Sequence, residues 1–516
     1  MKKVVYAIAG LVAVALIAWV GLGALGSNRS PFVGPTSVED PLPSALVSDL
    51  ERYVEKAMSQ NGVPGVSMVL VHGDQVVYTR GIGVRDLRTR DPVTTETLFG
   101  IGSTTKSMTA VMMASLVDDR LIDWDTPVTE VMPGFALSDP ATSEAVSFEH
   151  TLCMCTGVPR RMEEISVRYS DMSAEDVIDS LATIPLSDAF QHRFNYSSRM
   201  LAAGGYVAAM AAGSEYGELA EGYINLMQER LLDPLSMTAS TFSIPEAVSS
   251  GDCATPYYSA LSGCEAVPPD IEGMFTPIAP AGAMWSNADD MAKYLIMLLN
   301  RGVSADGERV VSAENLAYVW EPWVDIDPQI SYGLGWHVED YHGLTVIHHP
   351  GGTVGFASEL VIIPERNVGF ALLTNRLDQI KPLGRMATYR LLEMLTGSEQ
   401  VYDRETRQAA RDIRRQVLLL SVLTKKRVNP DNVAPYLGVY HNDVLGEVEL
   451  VLHEDNTLWV DFGEYESSIR PLRLEENQFI FLESVFIGKT LALTMDSTGE
   501  VTMRWPGDED VYTFTG

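Results

Sequence analysis

Ser103 and Lys106 stand three residues apart in the run Phe99-Gly-Ile-Gly-Ser-Thr-Thr-Lys-Ser-Met-Thr-Ala. The segment from Ser107 to Val117 is apolar and rich in helix formers, which predicts a buried helix whose first turn begins near Ser103. A spacing of three sets the hydroxyl and the ammonium side by side on one helical face. A serine hydroxyl is a weak nucleophile at neutral pH until a base removes its proton. A lysine desolvated against apolar walls has a lowered pKa and can be that base. The pair therefore predicts attack by Ser103 on a carbonyl, with Lys106 activating it. Lys106 is the only lysine in the chain with a serine three positions before it. A surface Ser and Lys on an ordinary helix would read the same way, so the rest of the chain has to decide.

Two further segments could complete such a site. Phe194-Asn-Tyr-Ser-Ser-Arg-Met-Leu-Ala-Ala-Gly-Gly-Tyr is an aromatic and polar turn running into a helix of small apolar residues. There Tyr196 offers a phenol to share the proton with Lys106, and Ser198 adds a hydroxyl; the plainer alternative is a tyrosine packed at a helix start. Ile347-His-His-Pro-Gly-Gly-Thr-Val-Gly-Phe-Ala-Ser places His349, Gly351 and Gly352 ahead of the strand-like Glu359-Leu-Val-Ile-Ile-Pro. Glycines this dense beside a strand mark a close approach of backbone to ligand, or a simple turn.

Taken together and in this order, the three segments resemble the serine β-lactamase and penicillin-binding-protein family, in the branch of class C β-lactamases, D-aminopeptidases, DD-carboxypeptidases and related esterases. The resemblance runs from about Pro64 to about Leu395. Val63-Pro-Gly-Val-Ser-Met-Val-Leu-Val is similar to that family's first core strand, and Tyr332-Gly-Leu-Gly-Trp to its late core strand. It implies that Ser103 is the acylated nucleophile, Lys106 and Tyr196 the general bases, and His349-Pro350-Gly351 the third motif. It also implies an oxyanion hole made by the backbone N–H groups of Ser103 and Gly352, donors aimed at the charge that develops in the transition state.

Two departures bear on substrate. The second motif of the family usually reads Tyr-x-Asn and here reads Tyr196-Ser197-Ser198. A serine cannot both accept and donate like an amide. The third motif carries His349 where β-lactamases and DD-peptidases usually carry lysine. Lysine is charged at neutral pH, whereas a histidine of ordinary pKa is only about a quarter protonated at pH 7. Recognition of a substrate carboxylate through that position is therefore weaker. The resulting expectation is an exported serine hydrolase acting through an acyl-enzyme on a peptide, amide or ester. β-Lactamase or DD-carboxypeptidase activity is one alternative, and a non-catalytic binding protein retaining the fold is another.

The elements that would hold this site are an α/β (α+β) domain over residues 45–398, with a mainly antiparallel sheet flanked by helices. A helical subdomain is expected as an insertion at about 126–274. A helical linker should follow at 399–430. From 431 to 516, short alternating strands such as Glu447-Val-Glu-Leu-Val-Leu-His predict a small antiparallel β-barrel or sandwich. It resembles the lipocalin-like domain appended to several peptidases of the family. As a lid, specificity module or homo-oligomer surface it would serve function; as a passive stabiliser it would not.

Met1-Lys-Lys precedes the uncharged run Val4–Gly26, 23 residues long. That is long enough to span a bilayer and longer than a usual cleaved signal core, so residues 1–26 read as membrane anchor or signal peptide. Residues 27–44 follow as a proline-rich tether. Either way the enzyme is expected outside the cytoplasm, in the periplasm or cell envelope, tethered to the membrane if uncleaved. A net charge of −32, from 37 Lys+Arg against 69 Asp+Glu, should repel nucleic acid and anionic lipid. Cys253 and Cys264 flank a loop suited to a disulfide, whereas Cys153 and Cys155 stand too close for an ordinary bridge and read as packing residues. No His-Glu-x-x-His and no paired Cys-x-x-Cys occurs, so neither metal nor cofactor is expected.

Overall fold

The computed structural model of the chain describes residues 42–260, 263–377, 382–473, 477–481, 486, 488–507 and 511–516. The segment 1–26 and nearly all of the expected tether lie outside these residues. Among the described residues, no helix is long and apolar enough to cross a membrane.

Three apolar runs form the middle of the main sheet: β1 (Gly65–His72), β7 (Ala357–Ile363) and β8 (Val368–Thr374). Every residue of all three is buried, as expected of strands covered on both faces. The other strands are β2 (Gln75–Gly83), β3 (Val324–Asp325), β4 (Ile330–Tyr332), β5 (His337–Tyr341) and β6 (Leu344–Gly352). They pair antiparallel in the order β2-β1-β8-β7-β6-β5-β4-β3.

Because successive residues of a strand face opposite ways, the sheet feeds two cores. Val69, Val71, Leu360, Ile362, Ala371 and Leu373 point to one side, where helices α2 (Thr105–Asp118) and α5 (Ala288–Leu299) pack. Val66, Met68, Leu70, Val361, Ile363, Phe370 and Leu372 point to the other, against α1 (Ser44–Asn61) and α6 (Leu383–Thr396). Helix α2 is buried from Thr105 to Leu116, the signature of a helix at the centre of a domain rather than on its surface. Shortening a core side chain here, such as Met112→Ala, should cost about 2–5 kcal/mol.

Between α2 and α5 lie many short helices, among them α3 (Met162–Arg168) and the longer α4 (Ser198–Ala211). After α6 comes α7 (Tyr402–Leu423), which leads to the C-terminal strands. Eight antiparallel strands between Gly438 and Thr515 form a closed barrel, in which His441 pairs with Thr515 to join first strand to last. Alternate residues such as Tyr440, Val448, Leu450, Phe481, Trp505 and Phe514 fill its interior. That core includes a residue from elsewhere in the chain, Val167 of α3. Ion pairing between Lys489 and Glu163, and a bond from the Ser170 N–H to Glu464 Oε1 (3.0 Å), fix the barrel on the same segment.

The cysteines depart from expectation. Cys253 and Cys264 are free thiols, and the disulfide joins Cys153 to Cys155. The hairpin Tyr257–Ala260/Gly263–Ala266 sets Cys264 opposite Ser259 and leaves Cys253 outside the paired strands. An extended Cys-x-Cys would hold its Cα atoms about 7 Å apart. Met154, with φ of 55°, curls the chain and brings them to 5.3 Å.

Candidate active site

Ser103 sits in a single 3-10 turn, Gly102–Thr104, which runs directly into α2 and carries Lys106 in its first helical turn. Gly102 turns the chain with φ of +51°, and a Cβ on it would stand 2.7 Å from the Gly352 nitrogen. The turn is therefore pressed against the end of β6. Gly351 is as tightly constrained, since a Cβ there would lie 1.9 Å from the Ile101 carbonyl oxygen. Two hydroxyls latch the contact: Thr104 Oγ1 donates to the His349 carbonyl (3.2 Å), and Ser358 Oγ donates to that of Ile101 (2.7 Å).

Lys106 is fully buried, and its Nζ donates to the Ala281 carbonyl at 2.6 Å and to Ser103 Oγ at 3.0 Å. Burial lowers its pKa against the opposing pull of Tyr196, and the charge of Arg160 lowers it further. Tyr196 lies just before α4, with its ring centroid 5.1 Å from Lys106 Nζ and its hydroxyl near enough to Ser103 and Lys106 for both to act on its pKa. Desolvation works to raise the phenol's pKa, but Lys106, Ser103 and Arg160 bring it below its usual value. A lysine bonded to the Ser103 hydroxyl and a tyrosine beside them, both losing protons more easily than usual, can accept and return its proton.

The loop that delivers Tyr196 hangs from the disulfide segment. Asn195 N donates to the Met154 carbonyl and Gln191 N to that of Cys155, both at 2.7 Å. Ser197 caps α4 by accepting from Met200 N (3.3 Å). Ser198, in the first turn of α4, is 5% exposed and makes no hydrogen bond to Ser103 or Lys106 among the described residues.

On the facing wall, the register decides which backbone groups are available. Thr353 N donates to Phe356 O (3.0 Å), so the next pair along, Gly352 with Ala357, is of the non-bonded kind. The Gly352 N–H consequently points away from β7 and toward the Ser103 turn. His349 does not point its nitrogens into the cleft. It is 1% exposed, its Nδ1 donates to the Pro350 carbonyl (2.7 Å), and its Nε2 accepts from the Tyr332 hydroxyl (3.0 Å). Burial, together with His337 and Lys106 nearby, holds its pKa well below the ordinary value, so it is neutral. His337 packs edge-on to His349 at 5.1 Å and is itself pushed down to about 3 by burial. His348 faces the other side of the sheet, beside Arg385 at 3.1 Å.

The site includes residues that sequence reasoning missed. Arg160 places its guanidinium carbon 5.9 Å from the Tyr196 ring centroid, and only the adjacent Arg160-Arg161 after Gly157-Val-Pro hinted at it. Tyr332, read as a core strand residue, is the partner of His349. Glu272 is buried and accepts from Thr353 Oγ1 and Gly355 N, both at 3.0 Å, which fixes the hairpin tip beyond Gly352.

Comparison with known proteins gives one consistent result. An unguisins hydrolase of Aspergillus campestris is 30% identical over 347 residues, 64% of this chain and 61% of that protein, so the chain spans less than two thirds of that relative. A second unguisins hydrolase, from Aspergillus violaceofuscus, is 27% identical over 79% of this chain and 77% of its own. Penicillin-binding protein 4 of Amycolatopsis lactamdurans is 28% identical over 63% of this chain and 84% of its own. Among solved structures, an octameric penicillin-binding protein homologue from Pyrococcus abyssi shares the fold, with a TM-score of 0.60 and 22% identity over 91% of this chain and all of that one. Residues 50–394 match the beta-lactamase family, the span that contains the Ser103 turn, Tyr196 and β6, and the chain belongs to that family.

Proposed function

We propose that the enzyme acts through an acyl-enzyme on Ser103 and hydrolyses a peptide, amide or ester bond. The observation that carries this reading is the 3.0 Å contact between Ser103 Oγ and a fully buried lysine. With Lys106 neutral, the hydroxyl donates across that contact. Its proton passes to the Lys106–Tyr196 pair while Oγ bonds the substrate carbonyl carbon and the carbonyl electrons move to oxygen. The N–H groups of Ser103 and Gly352 receive that oxyanion. Collapse breaks the bond to the leaving amine or alkoxide, which takes up the proton, and water repeats the sequence to free the acid and Ser103.

The names of two relatives, as hydrolases of unguisins, support hydrolysis. A neutral, inward-bonded His349 disfavours reliance on the third motif for a substrate carboxylate. Action outside the cytoplasm is supported by the uncharged run Val4–Gly26 and by the Cys153–Cys155 bridge, which suits an oxidising compartment. Intact mass after a neutral fluorophosphonate should show one adduct on the Ser103 peptide, and none in Ser103→Ala. An adduct elsewhere removes the reading.

A further inference from the structure

Tyr196 is held by its neighbours in sequence, and both of them hang on one residue. Asn195 N donates to the Met154 carbonyl (2.7 Å), and Ser197 N donates to Met154 Sδ (3.1 Å). Earlier in the same loop, Gln191 N donates to the Cys155 carbonyl (2.7 Å). The tripeptide Cys153-Met154-Cys155 is thus the bracket on which the phenol-bearing loop is mounted. Around the ring, Phe194 and Tyr332 stand 6.2 and 6.5 Å away between centroids. Apolar contacts of that kind are non-directional, so the backbone bonds on either side set how far the hydroxyl reaches.

Met154 is in place because the chain curls there. Its φ of 55° lies in the left-handed region, which a residue with a long side chain enters rarely and at a cost. The bridge from Cys153 to Cys155 ties the flanking Cα atoms 5.3 Å apart, nearer than an extended tripeptide allows. With the bridge open, nothing covalent opposes the return of Met154 to ordinary backbone angles, and its bonds to both neighbours of Tyr196 move with it. The chain on either side has fastenings of its own: Gly335 N donates to the Leu152 carbonyl (3.2 Å) and Ser187 N to that of Gly157 (2.9 Å). The freedom released by opening is therefore local to the bracket.

We infer that the Cys153–Cys155 bridge is a positioning element of the catalytic site. Through Met154 it fixes the reach of the Tyr196 hydroxyl toward Ser103 and Lys106, and opening it slows attack by Ser103. This rests on Ser103 being the acylated nucleophile. The bridge acts through Tyr196 and takes no part in the chemistry itself. A dithiol opens it by giving up two electrons and two protons: the S–S bond breaks, Cys153 and Cys155 become thiols, and the dithiol closes into a ring disulfide. Rates depend steeply on the placement of a proton-transfer group, a displacement of about 1 Å costing on the order of 10²-fold.

The test uses the full chain and the rate at which a neutral fluorophosphonate labels Ser103. Cys153→Ser/Cys155→Ser should label about ten- to a hundredfold more slowly, with KM for a neutral butyryl ester within about threefold of wild type. In a Tyr196→Phe background the same double substitution should change the rate by less than about threefold, because the hydroxyl it positions is gone. An undiminished rate in Cys153→Ser/Cys155→Ser, or an equal loss in both backgrounds, overturns the inference. Dithiothreitol treatment of the wild type reaches the open bridge with no substitution. The labelling rate should fall in step with the fraction reduced, counted by mass, while circular dichroism stays native. A rate that ignores that fraction overturns the inference. So does a chain that unfolds by both routes, because the bridge would then hold the fold rather than one side chain. Failure of the wild type to label removes the acyl-enzyme reading itself, whereas labelling at one rate with and without the bridge leaves that reading standing and removes only the role of the bridge.

Discussion

The two walls of the cleft are built from similar polar residues and put to opposite use. On the Ser103 side, a hydroxyl and an amine are bonded beside a phenol ring, and the amine and phenol lose their protons more readily than usual. On the β6 side, His349 and Tyr332 satisfy each other inward and are held neutral, and the buried Glu272 is bonded to Thr353 and Gly355. Burial acts on both walls. Where Lys106 and the Ser103 hydroxyl share the buried space, it produces a proton shuttle; where each polar group is already bonded to a fixed partner, it produces an inert support.

Removing the shuttle should have the largest effect. Ser103→Ala is expected to lower kcat by 10³-fold or more, as removal of a nucleophile does in other serine hydrolases, roughly to the level that binding and backbone donors sustain. Retained turnover would show that the chemistry sits elsewhere. Tyr196→Phe removes the phenol but keeps the ring, and should cost about 10²–10⁴ in kcat/KM. A loss of only a few-fold would leave Lys106 as sole base and weaken the contrast.

The facing wall should respond in stability more than in rate. His349→Ala leaves the buried Tyr332 hydroxyl without its acceptor, at a cost of about 1–3 kcal/mol in denaturant unfolding. Its kcat/KM should fall far less than that of Tyr196→Phe. The reverse pattern would make the histidine part of the shuttle. Glu272 gives a finer test. Burial raises its carboxyl from 4.5 to about 7, so the folded protein holds the proton more tightly than the unfolded chain. Its contribution to stability is complete below about pH 4.5 and is lost as pH rises toward 7. Glu272→Gln can still accept from Thr353 and Gly355 but cannot ionise, so the decline of Tm across that window should flatten. An unchanged slope would show that the group is already ionised in the fold.

The smallest effect concerns the charge of Arg160. It lowers the pKa of both Lys106 and Tyr196. The base must be deprotonated to act, so Arg160→Gln should move the acidic limb of kcat/KM for a neutral ester to higher pH. Added salt should shrink the difference, because the guanidinium is solvent-exposed. A shift to lower pH would contradict the geometry.

What the sequence made legible was local. Ser103 and Lys106 meet because three residues along a helical turn always do, whatever the rest of the chain does. The alternation in Glu447-Val-Glu-Leu-Val-Leu announced strands, and the barrel has a strand there. Arg160 was not legible, since its closeness to Tyr196 depends on how two loops 36 residues apart pack. The cysteine pairing turned on the φ of Met154, a backbone angle that residue type does not spell out. For His349, residue type gave the chemistry, but strand parity and the distant Tyr332 decided where its nitrogens went.

Val167 packs into the barrel's buried cluster although it belongs to the helical part of the chain. Anyone grafting a different C-terminal module onto this enzyme would therefore inherit an ill-fitting plug. The unit to transplant is the strands from Gly438 to Thr515 together with the patch from Met162 to Ser170 that they contact. A swap made at the linker alone leaves an apolar side chain, Val167, and an acidic one, Glu163, without their partners in the barrel. Modularity in this molecule is a matter of contact, and the chain order conceals it.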